Sequence, residues 1–301
     1  MRHSQTLFTI TAAVGGLASA SCTSMPQGSQ LSVRQPATKI ATGCESLADS
    51  ARATIVIFEP ARNRRLVCNA ARADVRFTAA STYKVAHTLI AFETGRVANV
   101  DTAFRWDGRD RGVPAWNRDL TLRQAVASSA VWVFQKLATR IGFNAEREWV
   151  RKLGYGNRDI GTPSDLRHFW LSGPLAISAH EQIDFLRRLV TRGLPVSEAT
   201  ASSTIATMHL GETSEGYPVY GKTGAMLPID DEGFLKASPE GLLPANVERT
   251  GWFIGWIDRP RANGGPVYFA HNLDLALPDA MNGRTTSAYA VLRSNGYTTP
   301  G

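Results

Sequence analysis

Apolar positions fall into two regimes along the chain. Toward both ends they come in short β-rich runs, and in the middle they recur every three or four residues. Residues 54–60 (TIVIFEP) and 64–70 (RRLVCNA) are split by ARN, which predicts a hairpin. Late strands are predicted at 217–225 (YPVYGKTGA), 251–258 (GWFIGWID) and 266–276 (PVYFAHNLDLA), the last two joined by the turn-rich RPRANGG. Between the two sets, the segment opening at Ser81 is apolar nearly all round up to Phe92 and stops at Gly95, the pattern of a central helix. Residues 120–142 carry one continuous helical periodicity ending at Gly142. Residues 154–173 are turn-rich. In 178–193, Ser178 and Glu181 predict a capping box, Ile183, Leu186, Leu189 and Val190 a buried stripe, and Gly193 the exit. SAYAVLRSNG, at 287–296, closes the chain as a helix.

Strands at both ends with helices between them predict an α+β chain. Its architecture is one antiparallel sheet flanked by helices, with a helical subdomain inserted between the halves of the sheet. The boundaries this implies are a sheet subdomain from 43–78 and 175–301, and a helical subdomain from 79–174. No internal repeat is visible.

Composition bounds the function. The 301 residues are 43% hydrophobic, enough for an ample core. The formal net charge of +7 is spread over scattered Lys and Arg, without the basic run that nucleic-acid binding requires. Residues 1–20 read as an export signal: a basic start (MRH), an apolar stretch (LFTITAAVGGLA) too short to span a bilayer, and the small-residue site Ala18-Ser19-Ala20. Residues 21–42, rich in Ser, Gln, Pro and Thr, read as a flexible lead-in. Cys22 follows the cleavage site, and lipidation there would make the exported, periplasmic product membrane-anchored. Ser19, however, stands where a lipid-modified cysteine ordinarily has an apolar residue. Cys44 and Cys68 remain after cleavage. Whether they pair depends on a Cα separation that sequence does not supply.

One charge is out of place. Lys84 lies three residues after Ser81 and opens the apolar helix, so the two share a face. A serine hydroxyl needs a base to become a nucleophile, and burial lowers the pKa of a lysine toward that role. Ser-Xaa-Xaa-Lys alone is a frequent coincidence, and a solvated lysine is its bland explanation. Lys222-Thr223-Gly224 at the end of a strand, and Ser129-Ala130-Val131 between the two, complete the three-part order of the serine penicillin-recognising enzymes. Ser128 competes with Ser129, but only Ser129 has a valine two residues later. Taken singly, Trp170 reads as a core aromatic, Arg284 as a solvated or helix-terminal arginine and Lys222 as a strand-edge charge. Their co-occurrence changes those readings.

From about Cys44 to Tyr297 the chain resembles the class D (oxacillin-hydrolysing) serine β-lactamases. The resemblance is carried by STYK, FETG, WDG, WNRDLTL, SAVWVFQ, YGN, FWLSGPLAIS, YGKTG, GWFIGW and the GR of MNGRTT. It implies the serine β-lactamase/DD-transpeptidase-like fold and hydrolysis of β-lactams through a serine acyl-enzyme, conferring β-lactam resistance. By this resemblance Ser81 is the nucleophile, and Lys84 is a lysine that adds CO₂ to become N6-carboxylysine, the general base. Trp170 supports that base with an indole N–H, and Val131 keeps the pocket dry. Ser129 relays a proton to the departing nitrogen. Lys222, Thr223, Gly224 and Arg284 receive the substrate carboxylate, and the backbone N–H groups of Ser81 and Ala225 form the oxyanion hole. Tyr155 and Asn157 read as a packed turn that shapes the wall. No metal or organic cofactor is implied, only CO₂ or bicarbonate, and the partners are β-lactam small molecules. The oligomeric state stays open.

Two rivals share the fold. One is a penicillin-binding sensor that acylates without fast turnover, the other a cell-wall transpeptidase using a free lysine. A non-catalytic periplasmic binding protein is a third reading, which the three motifs together oppose. Some positions depart from the family pattern. Tyr83 replaces the usual phenylalanine before the lysine, and His87 stands where many members carry a smaller or amide residue. The connection from Met226 to Gly251 is longer than the common hairpin there.

Overall fold

In the computed structural model of the chain, the β-rich runs from the two ends of the sequence meet in one seven-stranded sheet. The described residues are Met1, 36–47, 49–227, 229–235, 249–276 and 279–300. The signal reading of 1–20 (Met1 aside), Cys22, and the middle of the 226–251 connection lie outside them.

The chain opens with β1 (Ala37–Ile40), the hairpin β2 (Ala53–Glu59) and β3 (Arg64–Cys68), the short helix α1 (Ala70–Asp74) and β4 (Phe77–Thr78). The helical layer follows: α2 (Lys84–Glu93), the short strands β5 (Ala103–Phe104) and β6 (Leu120–Thr121), then α3 (Leu122–Ala127), α4 (Val131–Ile141) and α5 (Phe143–Leu153). Strand β7 (Ala176–Ile177) pairs antiparallel with β4, so the chain enters and leaves this layer side by side. Helices α6 (Ala179–Val190) and α7 (Glu198–Ala206) lead to β8 (His209–Glu212), β9 (Pro218–Ala225), β10 (Thr250–Ile257), β11 (Val267–Asp274) and the closing helix α8 (Ala280–Ser294).

The sheet order is β1-β3-β2-β11-β10-β9-β8. All neighbours are antiparallel except β1, which runs parallel to β3 with Ala37 opposite Arg64. The sheet is therefore mixed at that edge rather than purely antiparallel. Ala37–Ile40 also fall within the stretch read as flexible lead-in. All four are exposed, so no apolar alternation marks them, and they are held by backbone pairing to the β3 edge.

The central strands are buried on both faces, and their two-residue period divides their side chains between two cores. Val56, Phe58, Trp252, Ile254, Trp256 and Ala270 face the helical layer. Ile55, Ile57, Phe253, Phe269 and Leu273 face the other way, against Ala288, Val291 and Leu292 of α8. Helix α6 starts with the capping box foreseen, Ser178 accepting from Glu181 N and Glu181 from Ser178 N. It buries Ile183, Leu186 and Leu189, with Val190 half-buried. Helix α2 is buried from Lys84 to Ala91, packed by α4, α5 and α7.

Three further departures from the pattern-based reading have physical causes. The single helix expected over 120–142 is two helices, broken at residues 128–130, where Ser129 takes a left-handed φ of 55°. The indole of Trp116 donates to Ser128 O at 2.8 Å and satisfies a carbonyl the break would orphan. Helix α7 and strand β8 went unpredicted. The first is an Ala/Ser/Thr-rich segment without an apolar stripe, and the second is exposed and interrupted by a bulge at His209/Gly211. Helix α8 begins at Ala280, upstream of SAYAVLRSNG, which places Arg284 inside it.

Candidate active site

Ser81 lies on a single 3₁₀ turn, Ala80–Tyr83, between β4 and α2. Ala80 holds a φ of 49°, an uncommon conformation for a residue with a side chain, and it turns the chain sharply just before Ser81. Buried hydrogen bonds hold this turn in place. Thr82 Oγ1 donates to Ala79 O at 2.6 Å and accepts from Gln182 Nε2 at 2.8 Å, and the Tyr155 hydroxyl lies 3.3 Å from it. Asn157 donates to Pro174 O and accepts from Ala176 N, which ties the 155–157 turn to β7.

Lys84, at the first position of α2, is fully buried, and its Nζ is 2.7 Å from Ser81 Oγ. Burial, and secondarily the Lys222 charge, hold its pKa well below the ordinary lysine value. A neutral amine in contact with a serine hydroxyl can accept its proton. Trp170 packs against Tyr83, which precedes Lys84 in the chain, and His87, which follows it on α2. Its indole N–H is buried without an acceptor. A buried N–H left unpaired is costly, so this donor suits an anionic group on Lys84. The residues present therefore fit a carboxylated lysine: a neutral amine to add CO₂, and a donor waiting for the carboxylate.

The break after α3 brings Ser129 to the site, where Lys222 Nζ donates to Ser129 Oγ and, at 2.9 Å, to Thr223 O. Burial and then the Arg284 charge lower the Lys222 pKa to about 7, so this ammonium gives up its proton near neutrality. Arg284 reaches back from α8 and donates to Gly224 O at 2.9 Å. Gly224 is a glycine for a local reason. A Cβ there would lie 3.2 Å from Thr82 Cγ2 and from Trp252 Cβ and 3.4 Å from Ser81 N, so a larger residue would require these neighbours to give by a few tenths of an ångström for β9 to stay this close to the Ser81 turn. N–H groups alternate between the two edges of a strand. Met226 N bonds to Thr250 O of β10, so the Ala225 N–H faces away from β10, and Ala225 and Ser81 line one cavity.

A cavity of about 320 Å³ opens over these groups. Ser81, Ser129, Val131, Thr223, Ala225 and Arg284 line it, whereas Lys84 and Trp170 stand behind its wall. Pattern reasoning missed the apolar part of the lining: Val113, Trp116, Leu171, Met281, Leu227 and Ile229. Apart from Met281 at the start of α8, these come from connections or single turns without periodicity; the adjacency of Leu171 to Trp170 and the place of Trp116 at the head of WNRDLTL were the available signals. Leu227 and Ile229 belong to the long 226–251 connection. Its described part is pinned by Arg111, which donates to Glu232 O at 3.2 Å, and by Gln135, which donates to Asp230 O at 3.1 Å.

Comparison with known proteins agrees with this geometry. Residues 53–292 match the family described as penicillin binding protein transpeptidase domain. The chain is 35% identical over 250 residues to β-lactamase OXA-20 of Pseudomonas aeruginosa, covering 81% of this chain and 83% of the relative. It is 34% identical over 249 residues to β-lactamase OXA-2 of Salmonella typhimurium, covering 81% and 80%. Among solved structures, the class D β-lactamase YbXI from Nostoc superposes with a TM-score of 0.75 at 32% identity, over 85% of this chain and 99% of that one. The fold, the serine–lysine turn facing the Lys-Thr-Gly strand and these relatives agree: the chain belongs to the class D β-lactamases.

Proposed function

We propose that the protein hydrolyses β-lactams, with Ser81 as nucleophile and Lys84, in its carboxylated form, as general base. One observation carries the choice of base: a buried indole N–H without an acceptor, on Trp170, beside a lysine held neutral by burial. Carboxylated, Lys84 would supply an anionic base for both acylation and deacylation. Ser81 Oγ bonds to the lactam carbonyl carbon, the ring C–N bond breaks, and water later cleaves the ester. The backbone N–H groups of Ser81 and Ala225 receive the oxyanion. Ser129, fed by Lys222, delivers the proton to the departing nitrogen. Thr223 and Arg284, with Lys222, bind the substrate carboxylate, and Gly224 gives the strand its close approach. Val131 and Leu171 keep bulk water from Lys84. Export to the periplasm through residues 1–20, and any anchoring at Cys22, belong to the same proposal. Among the described residues no helix is long and apolar enough to cross a membrane.

The test is a time course with a chromogenic cephalosporin, followed by intact mass of the protein. The expected result is turnover without a lasting adduct, and neither turnover nor adduct in Ser81→Ala. A stoichiometric, persistent adduct without turnover would favour the sensor or transpeptidase reading. An adduct surviving in Ser81→Ala would remove Ser81 from the reaction.

A further inference from the structure

Behind Lys84 lies a second buried group of titratable side chains that the hydrolytic steps do not use. Tyr83 and His87, the positions at which the chain departs from the family pattern, meet Glu146 of α5 there. The Tyr83 hydroxyl donates to Glu146 Oε1, and His87 Nε2 stands 3.7 Å from the same oxygen. All three side chains are fully buried. Both ring nitrogens of His87, Glu146 Oε2 and the Trp170 indole nitrogen lack hydrogen-bond partners. His87 also shares its surroundings with Lys84. It follows Lys84 by three positions on one helix, the two pack against the same Phe134 ring at 5.5 and 5.3 Å, and Trp170 packs on His87 at 5.2 Å. The groups facing His87 are thus Lys84 and Tyr83 from its own segment, Glu146 from α5, Phe134 from α4, and Trp170.

We infer that His87, with Glu146 at its back, is a positioning residue for the base: it takes the proton released when Lys84 is carboxylated and remains as imidazolium beside the carbamate. In that step the Lys84 N–C bond to CO₂ forms, an N–H bond breaks, and the proton passes to an imidazole nitrogen. A lone anion in this enclosed niche would be strongly disfavoured, whereas an imidazolium–carbamate pair leaves the niche without net charge. With Lys84 as an uncarboxylated amine the balance reverses. Burial, and then the lysine's positive charge when protonated, push the imidazole down to about 3, so it stays neutral. Exchanging a neutral amine for an anionic carbamate is the change that would let it hold a proton against the cost of burial.

This inference rests on the carboxylated-lysine reading, and one experiment separates the two. The full chain, ¹⁵N-labelled at histidine, is followed by NMR while ¹³C-bicarbonate is added and then stripped. A Lys84 carbamate carbon signal is expected to appear together with a shift of the His87 ring nitrogens from the neutral to the imidazolium pattern, and both should reverse on stripping. His87→Gln should need about ten- to a hundredfold more CO₂ for half-carboxylation, the size of a lost charge-assisted interaction. Its carbamate occupancy should also fall more steeply on acidification, because its proton must go to solvent. A carbamate signal with His87 still neutral would overturn the inference and leave the carboxylated base standing. So would a His87→Gln variant that carboxylates as readily as the unaltered chain. Absence of any carbamate signal at saturating bicarbonate would overturn both. The measurement on the unaltered chain does not depend on the variant folding.

Discussion

At the scale of single residues, the site is made by burial acting on groups that would be ordinary at the surface. Arg284 is drawn from α8 onto Gly224 O and faces the cavity. Its loss should weaken substrates that carry a ring carboxylate by about 1.5–3 kcal/mol, or roughly ten- to a hundredfold in kcat/KM. Unchanged kcat/KM for penicillins in Arg284→Ala would remove it from the binding set. Glu146 gives a pH signature. Burial raises its carboxyl from 4.5 to about 8, against the opposing Tyr83 hydrogen bond. A pKa raised on folding contributes stability below the unfolded value, and that contribution is lost as pH rises through the folded one. The unaltered chain should therefore lose this contribution between 4.5 and about 8, while Glu146→Gln, neutral throughout, should not. Denaturant midpoints of the two proteins across that window should diverge toward alkaline pH. Parallel curves would show that Glu146 is not held protonated in the fold.

At the scale of elements, short connections do what regular structure cannot. The break between α3 and α4 turns Ser129 toward Lys222, and Trp116 stabilises it by satisfying the Ser128 carbonyl. The described residues of the 226–251 connection contribute Leu227 and Ile229 to the cavity but no nucleophile or base. Arg111 is its main described anchor, buried against Trp132 and Phe234 and bonded to Glu232 O and Asp107. Arg111→Ala should release this wall. The expected outcome is a changed ratio of kcat/KM between bulky and small β-lactams with turnover retained. An equal loss for every substrate would mean that the connection only supports the fold.

At the scale of the molecule, the Cys44–Cys68 disulfide joins the segment before β2 to the end of β3, across a sequence separation of 24. Cys68 belongs to the core on the α8 side, whereas Ala79 and Tyr83, either side of Ser81, belong to the core on the other face. A closed loop of this size stabilises by about 3 kcal/mol in the chain-entropy description. Replacing both cysteines by serine should lower the unfolding free energy by about that amount while leaving kcat largely intact at moderate temperature. A large fall in kcat for still-folded protein would show that the bridge also positions the site. The disulfide and the inner side of α8 pack on one face of the sheet and the Ser81 turn on the other, and the start of α8 also reaches the cavity through Met281 and Arg284.

Much of this was legible along the chain because it is local. The β-rich runs of β2, β10 and β11, the capping box at Ser178 and the three-residue spacing that links Ser81 to Lys84 all follow from neighbours a few positions apart. The family resemblance added the roles of Trp170, Ser129, Lys222 and Arg284, none of which periodicity could supply. Tertiary structure alone decided the rest. Strand β1 has no apolar code and exists through pairing with β3. The helix break at Ser129 is stabilised by Trp116, twelve residues away from the carbonyl it caps. Arg284 meets Gly224 across 60 positions of sequence. Glu146 carried no signal in the sequence, and only folding buries it, on α5, against Tyr83 and His87. Periodicity records which side of an element avoids water, but the partner that a buried polar group finds depends on contacts between distant segments, which only the closed fold brings together.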